Sequence, residues 1–315
     1  RGMSERQQGG AAEGAAEPGR IAVSGASGFV GRPLCARLAD RGWRVVRLVR
    51  RQAGGPDTVV WDPAQGTLDA AALEGLEAVV PQAGENLSAG RWTPERKAAI
   101  LRSRVEGTGL LARTLAALRR PPRTLISASA IGWYGDRGDE ALAEDAGPGS
   151  GFLADVCAQW EQATEPGRAA GIRVVLLRTG VVLAGDGGAL PRMSAPFRMF
   201  AGGRVGSGRQ WVSWITREDA LGAVEHLLAT QSVSGPVNLV APGATTNADF
   251  SRVLGRVLRS PSWLPVPSFA LRTAFGEMSS VLLASARVEP HKLLASGYRF
   301  AHPELESALR AAFGR

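Results

Sequence analysis

The sequence predicts an α/β fold: a doubly wound parallel sheet with a smaller C-terminal lobe. Short apolar runs alternate with stretches of helical periodicity through the first 180 residues. The apolar runs are nearly continuous, as is typical of strands that are buried on both faces of a parallel sheet. A glycine-rich turn also follows the first run and opens the first helix, so the first predicted elements form a strand–turn–helix unit.

The predicted strands and helices alternate along the chain. Residues 21–24 form the first strand, and residues 31–41 form a helix that ends at Gly42, a residue suited to the left-handed conformation after a helix. The further strands cover residues 44–49, 59–61, 78–80, 124–127, 174–177 and 237–240, and the further helices cover residues 70–76, 94–118, 152–164 and 217–228. Helix 94–118 carries its apolar residues on one face.

Beyond residue 180 the alternation loosens. Residues 180–210 are rich in glycine, a strand is predicted over 211–215, and short helices are predicted over 247–258, 268–275 and 304–313. We therefore expect one unit over 21–315, in which 21–180 and 211–240 form the core and 181–210 and 241–315 form a lobe over the carboxyl edge of the sheet. Residues 1–20 are polar and rich in Gly, Ala and Glu, and we expect a flexible tail there.

The composition argues against several classes of function. The net charge is +8, but Lys97 and Lys292 are the only lysines, and the arginines are scattered without an aromatic platform between them. We interpret this charge as compositional bias and expect no nucleic-acid partner. No apolar run approaches the ~20 residues of a transmembrane helix. The two cysteines, Cys35 and Cys157, and the spacing of the three histidines predict neither a disulfide framework nor a metal site.

The stretch "SGASGFVG" carries the most specific signal. Gly25 would permit a sharp turn, Gly28 would let the backbone approach a pyrophosphate, and Gly31 would let the helix pack closely on the strand. The spacing is GxxGxxG, so a plain tight corner is the alternative. The predicted cofactor-binding residues of this turn are Gly25, Ser27, Gly28, Phe29, Val30 and Gly31.

The end of the second strand favours NADP(H) over NAD(H). An NAD site places a carboxylate about twenty residues after the turn, whereas here the residues are Val49, Arg50 and Arg51. Two arginines can bind a 2′-phosphate through charge-assisted hydrogen bonds. The alternative is that both are ordinary solvated arginines. Asp62 is a candidate adenine contact, and Ala83 and Gly84 leave room for the cofactor.

Several motifs together resemble those of extended short-chain dehydrogenases/reductases. They include "GASGFVG", "SRVEGTGLLA", "SASAIGWYGD", "LLRTGVVL" and "WITREDALGAV". The blocks "AGENLSAGRWTPERK", "PFRMFAGGRVGSGRQWVSWI" and "PSWLPVPSFAL" resemble a narrower, atypical branch called the epimerase family, with SulA-like giant-chloroplast members in plastids and cyanobacteria and a human mitochondrial-type member. The resemblance spans residues 21–315 and implies a Rossmann core, an NADP(H) cofactor and a substrate-side lobe. The chain departs from the branch at Pro81 and Gln82, where Asn-Leu is usual.

The catalytic pair of ordinary members is missing. They use a Tyr and a Lys four residues apart, with a serine, to pass a proton while a hydride moves. No such pair is possible here, because the only tyrosines are Tyr134 and Tyr298 and the only lysines are Lys97 and Lys292. Leu153 stands at the Tyr position and Cys157 at the Lys position, where a small buried residue is the preferred interpretation of Cys157 and a reactive thiol the alternative.

Ser129 matches the usual serine, and Tyr134 matches a tyrosine that lines the substrate pocket, with an aromatic wall as its alternative role. They are the candidate catalytic residues. Arg178, in "LLRTGVVL", is a candidate cofactor contact whose alternative role is to tie loops together. The first functional hypothesis is an NADP(H)-dependent oxidoreductase or epimerase that acts on a small molecule. The second is a catalytically silent nucleotide-binding scaffold or assembly subunit of a larger organellar complex. The resemblance implies a location in an organelle, with a plastid preferred to a mitochondrion, or in the cytoplasm if the protein is bacterial.

Overall fold

A computed structural model of the chain describes residues 19–51, 55, 57–87 and 90–315. The predicted tail 1–20 lies outside the described residues except for its last two positions. The first strands are β1 (Arg20–Ser24), β2 (Arg44–Val49), β3 (Thr58–Asp62), β4 (Thr67–Leu68), β5 (Ala78–Pro81), β6 (Thr124–Ala130), β7 (Ala141–Leu142), β8 (Arg173–Thr179) and β9 (Val181–Ala184). The helices among them are α1 (Gly31–Asp40), α2 (Pro94–Ala116), α3 (Phe152–Gln162) and α4 (Glu165–Ala169).

Shorter elements make up the rest of the chain. The strands are β10 (Gly187–Gly188), β11 (Trp211–Val212), β12 (Trp214–Thr216), β13 (Gly235–Leu239), β14 (Thr245–Thr246) and β15 (Arg287–Val288). The helices are α5 (Leu190–Arg198), α6 (Arg217–Ala229), α7 (Asn247–Leu258), α8 (Ser268–Phe275), α9 (Ser279–Leu283), α10 (His291–Ala295) and α11 (Leu305–Ala312). Single 3₁₀ turns cover Ala71–Leu73, Ile131–Tyr134 and Gly276–Met278.

An eight-stranded sheet in the order β13-β8-β6-β5-β1-β2-β3-β4 forms the centre of the described structure. Its neighbouring strands are parallel except for the antiparallel pair β3–β4. The chain runs outward from β1 through β2 and β3, then returns to β5 on the other side of β1. The predicted doubly wound fold is confirmed, and β1 and β5 flank the switch point where such sheets bind ligands.

Two apolar layers cover the faces of this sheet. Ile21 and Val23 of β1 point to one face, where helices α1 and α6 pack, and Ala22 points to the other face, where α2 packs. This alternation follows from the period of a strand. Each large aliphatic side chain buried in these layers contributes roughly 1.5–3 kcal/mol. The side chains from the helices are Leu34, Leu38, Ala223, Val224 and Leu227 on the first face and Leu110, Leu111 and Leu115 on the second.

A separate apolar cluster lies around a second, smaller sheet. Strand β9 pairs with β10 and β12 in a small sheet, and Phe197, Trp214, Phe250 and Leu309 pack against it. The sequence prediction differs from the structure in three places. The loosely patterned stretch 180–210 contains β9, β10 and α5; residues 211–215 form parts of two short strands with separate partners; and the predicted helix 70–76 is a single 3₁₀ turn. The division into core and lobe stays a prediction.

Two further expectations concern membranes and metals. Among residues 19–51, 55, 57–87 and 90–315, no helix is both long and apolar enough to cross a bilayer. Over the same described residues, no three His, Cys, Asp or Glu side chains come together as a metal site would require.

Candidate cofactor and active site

The carboxyl ends of the central strands bring most of the predicted residues to one edge of the sheet. Ser24 is paired with Pro81 on one side and with Leu48 on the other, so the glycine turn lies between the ends of β2 and β5. Ser129 is paired with Arg178 further along the same edge. The cofactor candidates and the catalytic candidates therefore share the edge at which parallel sheets bind nucleotides.

The glycine turn is too tight for side chains at two of its three glycines. Gly25 has a φ of 67°, and a Cβ there would lie 2.9 Å from the Ala83 nitrogen. A Cβ on Gly31 would lie 2.1 Å from the carbonyl oxygen of Gly25. The amide of Gly28 donates to that same oxygen at 2.9 Å. The backbone of the turn thus lies directly against the start of α1, as the predicted roles of Gly25 and Gly31 require.

The N-terminus of α1 remains open to an anion. Val30 precedes the helix without a side-chain cap, and the first turn holds no acidic residue, so the helix dipole and its free N–H groups favour negative charge there. Ser27 and Gly28 are exposed beside it. The Phe29 ring faces the hairpin of β9 and β10, where a Cβ on Gly187 would lie 2.7 Å from its Cδ2 atom. The Phe29 side chain is therefore committed to packing.

Ser24 joins the two strands at the switch point, a role that the sequence prediction missed. Its Oγ accepts hydrogen bonds from the backbone amides of Gln82 and Ala83, both at 3.2 Å. Arg104 of α2 supports the next residues, because its Nη2 donates to the Glu85 carbonyl at 3.2 Å. A Cβ on Gly84 would lie 3.3 Å from the Arg104 Cζ. The loop after β5 is thus held close to the glycine turn.

The two arginines after β2 stand in solvent. Arg50 and Arg51 are exposed, and neither forms an ion pair within the part of the chain that the structure describes. Asp62 ends β3, and its Oδ1 accepts hydrogen bonds from the amides of Ala64 and Gln65 at 2.9 and 3.2 Å. Asp62 therefore stabilises its own turn, and its adenine contact stays a prediction.

A buried ion pair lies beneath the catalytic candidates. Arg178 Nε and Nη2 donate to Glu161 Oε1 and Oε2 at 2.9 and 3.0 Å, and the Arg178 guanidinium lies 4.0 Å from the centre of the Trp133 ring. Burial alone lowers the pKa of Arg178, but the hydrogen bonds that Arg178 donates to Glu161 raise it above its usual range. Ser129 Oγ donates to Glu161 Oε1 at 2.7 Å. Arg178 is 2% exposed, so these contacts match the alternative of tying segments together.

Tyr134 is completely buried, so its hydroxyl lies inside the protein. Its Oη donates to Asn238 Oδ1 at 2.6 Å and accepts from Arg178 Nη1 at 3.1 Å. Burial raises the pKa of the phenol, and the hydrogen bond from Arg178 offsets this only in part. The hydroxyl groups of Tyr134 and Ser129 both donate their hydrogen bonds to acceptors in the protein. Neither hydroxyl hydrogen is therefore directed at a ligand.

The positions of the missing catalytic pair are apolar. Leu153 packs with Trp92, Phe152 and Met278 in a small apolar cluster. Cys157 is 2% exposed, and burial, followed by the negative charge of Glu161, raises the pKa of its thiol to about 11. A thiol at that pKa is not a nucleophile at neutral pH. The preferred interpretation of Cys157, a small buried residue, agrees with this environment.

Sequence reasoning missed Glu161, which is central to the site. Glu161 lies one helical turn after Cys157, on the face of α3 that also holds Ala154 and Trp160. An acidic residue on the buried face of an amphipathic helix is a signal of a buried partner. Asn238, which accepts the hydrogen bond of Tyr134, was also missed, and no feature of the sequence around it indicates that role.

The parallel sheet, the switch-point glycine turn and the absent Tyr–Lys pair define an atypical member of the short-chain dehydrogenase/reductase class. A model of the NAD dependent epimerase/dehydratase family matches residues 21–240, and a domain of unknown function, DUF1731, matches residues 266–312. The first match covers more than half of the chain. The chain therefore belongs to the NAD dependent epimerase/dehydratase family.

Relatives come from bacteria and from eukaryotes. The chain is 40% identical to epimerase family protein Mb2239 of Mycobacterium bovis, over 94% of this chain and 98% of that protein. It is 38% identical to the chloroplastic SDR39U1 homologue of Arabidopsis thaliana, over 92% of this chain and 86% of that protein. The crystal structure of human epimerase family protein SDR39U1 with NADPH matches with a TM-score of 0.86 and 34% identity, over 94% of this chain and all of that chain.

Proposed function

We propose that this chain binds NADP(H) at the switch point between β1 and β5 and acts on a small-molecule substrate as an atypical dehydrogenase or epimerase. The observation that carries the proposal is the exposed glycine turn, packed so closely on the open end of α1 that a Cβ on Gly31 would lie 2.1 Å from the Gly25 oxygen. A pyrophosphate site needs this close, bare backbone. The NADPH complex of the human relative supports the same cofactor.

The residues present fit both charged parts of NADP(H). The uncapped first turn of α1 and the backbone of residues 27–31 fit the pyrophosphate. Arg50 and Arg51 fit the 2′-phosphate, because both are exposed. Asp62, Ala83 and Gly84 would contact the adenosine half. Arg178 contributes to this site through Glu161, which also accepts the hydrogen bond of Ser129.

NADP(H), when bound, donates or accepts a hydride. The contribution of the chain is to orient the cofactor, while Leu153 and its apolar neighbours occupy the place of the usual phenol. Ser129 donates its one O–H hydrogen bond to Glu161, so toward a ligand its oxygen can only accept a hydrogen bond. In this proposal Ser129 and Tyr134 position the site, and water supplies the proton that a carbonyl takes up after it accepts the hydride.

The experiment has two stages. Fluorescence titration with NADPH compares the wild type with Gly28→Val, which puts a side chain into the pyrophosphate site, and with Gly147→Ala, a control position where a Cβ meets nothing within 4 Å. Loss of binding in Gly28→Val alone supports the cofactor site, and unchanged affinity overturns it. Single-turnover oxidation of bound NADPH is then followed with a panel of small aldehydes, ketones and quinones.

A second function, a nucleotide-binding scaffold or assembly subunit of an organellar complex, rests on one observation. Leu153 and Cys157 replace the catalytic pair, and both are committed to packing. The scaffold would bind NADPH without oxidising it in the presence of any member of the panel. Oxidation by the wild type at a rate above that of free NADPH excludes this function. The organellar location itself stays a prediction, because bacterial and chloroplast relatives are similarly close.

A further inference from the structure

The lobe has an exposed apolar face that the rest of the described chain does not cover. Five large apolar side chains define this aromatic face, with exposed fractions from 44% to 71%: Met199, Phe200, Trp263, Leu264 and Phe269. Single exposed apolar residues are common, but neighbouring large ones mark an interaction surface.

Backbone contacts bring these side chains together. Residues 199–206 run beside residues 262–266, because the Leu264 amide donates to the Gly202 carbonyl at 3.1 Å and the Val266 amide donates to the Arg204 carbonyl at 2.9 Å. The two segments approach so closely that a Cβ on Gly203 would lie 2.0 Å from the Leu264 oxygen. Helix α8 begins two residues after Val266 and presents Phe269.

The chain holds the aromatic face in a fixed conformation. Pro261, Pro265 and Pro267 restrict the backbone around Trp263 and Leu264. Phe200 has a φ of 57°, a left-handed conformation that disfavours a residue with a large side chain. An aromatic residue is therefore kept exposed where glycine would be the relaxed choice, which indicates a use for the side chain.

The two segments that form this face contain arginines but no acidic residues. Residues 187–217 and 250–276 contain no Asp or Glu. The exposed residues Arg198, Arg204, Arg259 and Arg272 lie within five positions of members of the aromatic face in the sequence, the last of them one turn after Phe269 on α8. The ion pairs of these two segments, in the described part of the chain, use other arginines: Arg217 with Asp186, Arg252 with Asp249 and Arg256 with Glu306.

The positive charge of the arginines indicates what binds to the aromatic face. A second copy of the chain would bring the same arginines and a net charge of +8, so like charges would oppose a symmetric contact. Aromatic side chains that project beside arginines are typical of proteins lying on a bilayer, with the rings among the headgroups and the guanidinium groups on the phosphates. We propose that the aromatic face docks this protein on the surface of an anionic lipid bilayer. This inference does not depend on the cofactor site.

Vesicle sedimentation tests the proposal with the full chain in the presence of NADPH. One set of vesicles is pure phosphatidylcholine, and the other contains equal parts of phosphatidylcholine and phosphatidylglycerol. The wild type is compared with the double variant Trp263→Ser/Phe269→Ser, with Arg204→Glu/Arg272→Glu, and with the control Leu294→Ser/Arg299→Glu, which changes an exposed leucine and an exposed arginine outside the aromatic face. NADPH affinity and melting temperature report whether each variant folds.

The expected result is binding to the anionic vesicles alone. The Trp263→Ser/Phe269→Ser variant should bind at least tenfold more weakly, and the Arg204→Glu/Arg272→Glu variant should bind at least about twenty-five-fold more weakly, from about fivefold for each arginine lost. The control should bind as the wild type does. Absence of wild-type binding to both vesicle types, or equal loss in the control, overturns the proposal. A wild-type dimer in sedimentation velocity that Trp263→Ser/Phe269→Ser converts to a monomer also overturns it, since a second copy would then cover the aromatic face.

Discussion

Arg178 and Glu161 form a bidentate ion pair, with N–O distances of 2.9 and 3.0 Å and with side chains that are 3% and 7% exposed. Charges removed from water are tolerated when each has a partner, and breaking the pair leaves one charge buried alone. Ser129 bonds to one end of this pair and Tyr134 to the other. The ion pair therefore fixes both candidate catalytic hydroxyls.

Replacing Glu161 with Gln should lower the free energy of unfolding by about 3–5 kcal/mol, because the buried Arg178 loses its counter-charge. The matched control is Glu165→Gln, which breaks an exposed pair with Arg168 and should cost at most about 1 kcal/mol. Urea denaturation followed by circular dichroism measures both. Similar losses in the two variants would show that the Arg178–Glu161 pair contributes little.

Tyr134→Phe should lower stability and leave hydride transfer nearly unchanged. The change removes a buried hydrogen-bond partner from Asn238 Oδ1 and one of the two partners of Arg178 Nη1, which costs about 1–3 kcal/mol. The rate of NADPH oxidation with an active panel substrate, and its pH profile, should match the wild type. A hundredfold slower rate with unchanged stability would return Tyr134 to the role of proton donor.

Gly31→Ala should both destabilise the protein and weaken NADPH binding. The new Cβ would collide with the Gly25 carbonyl, and such overpacking costs about 1–3 kcal/mol. Gly147→Ala is the control, because its Cβ meets no atom within 4 Å. Thermal melting and fluorescence titration give the two readouts. An unaffected Gly31→Ala would mean that the helix can move away from the turn without cost.

Arg50→Asp should reduce the preference for NADPH over NADH. Losing a hydrogen bond to the charged 2′-phosphate costs about 1.5–3 kcal/mol for NADPH, whereas NADH has no such phosphate. Arg299→Asp, a change of the same charge at another exposed position, controls for the general loss of positive charge. Calorimetric titration with both cofactors measures the ratio. Equal wild-type affinity for NADPH and NADH would remove the basis of this assignment.

Cys157 should make stability depend on alkaline pH. Its thiol has a pKa of about 11 in the folded chain against an ordinary value of 9.0, so the unfolded chain loses this proton first as the pH rises. The contribution is complete below pH 9.0 and is lost between pH 9.0 and about 11. In urea titrations across that window, Cys157→Ala should lose less stability than the wild type. If the wild type and Cys157→Ala lost the same stability across this window, other groups would be responsible for the pH dependence.

The placement of the cofactor candidates at one edge of the sheet was predictable because their signals are local. The glycines of the turn stand at fixed offsets between one strand and one helix, and Arg50 follows the adjacent strand. The parallel topology then brings these residues to a common edge. Apolar runs also located the core strands to within a few residues, since burial on both faces demands such runs.

The catalytic end was less predictable because its contacts join distant parts of the chain. Tyr134 meets Asn238 across 104 positions, and Ser129 meets Glu161 across 32. A tyrosine in a motif says nothing about whether its hydroxyl faces a ligand or a buried amide. The short strands of the lobe escaped prediction for a related reason: two residues of β11 or β14 carry no periodicity, and only their pairing defines them.

The central position of β1 has a consequence for synthesis on the ribosome. Its neighbour β2 emerges soon after it, but its other neighbour, β5, emerges later, and only then can Ser24 accept its hydrogen bonds from Gln82 and Ala83. Until that moment a strand of Ile, Ala and Val has one bare edge, which is a template for unwanted pairing. A nascent chain stalled before residue 78 should therefore expose this edge to other chains.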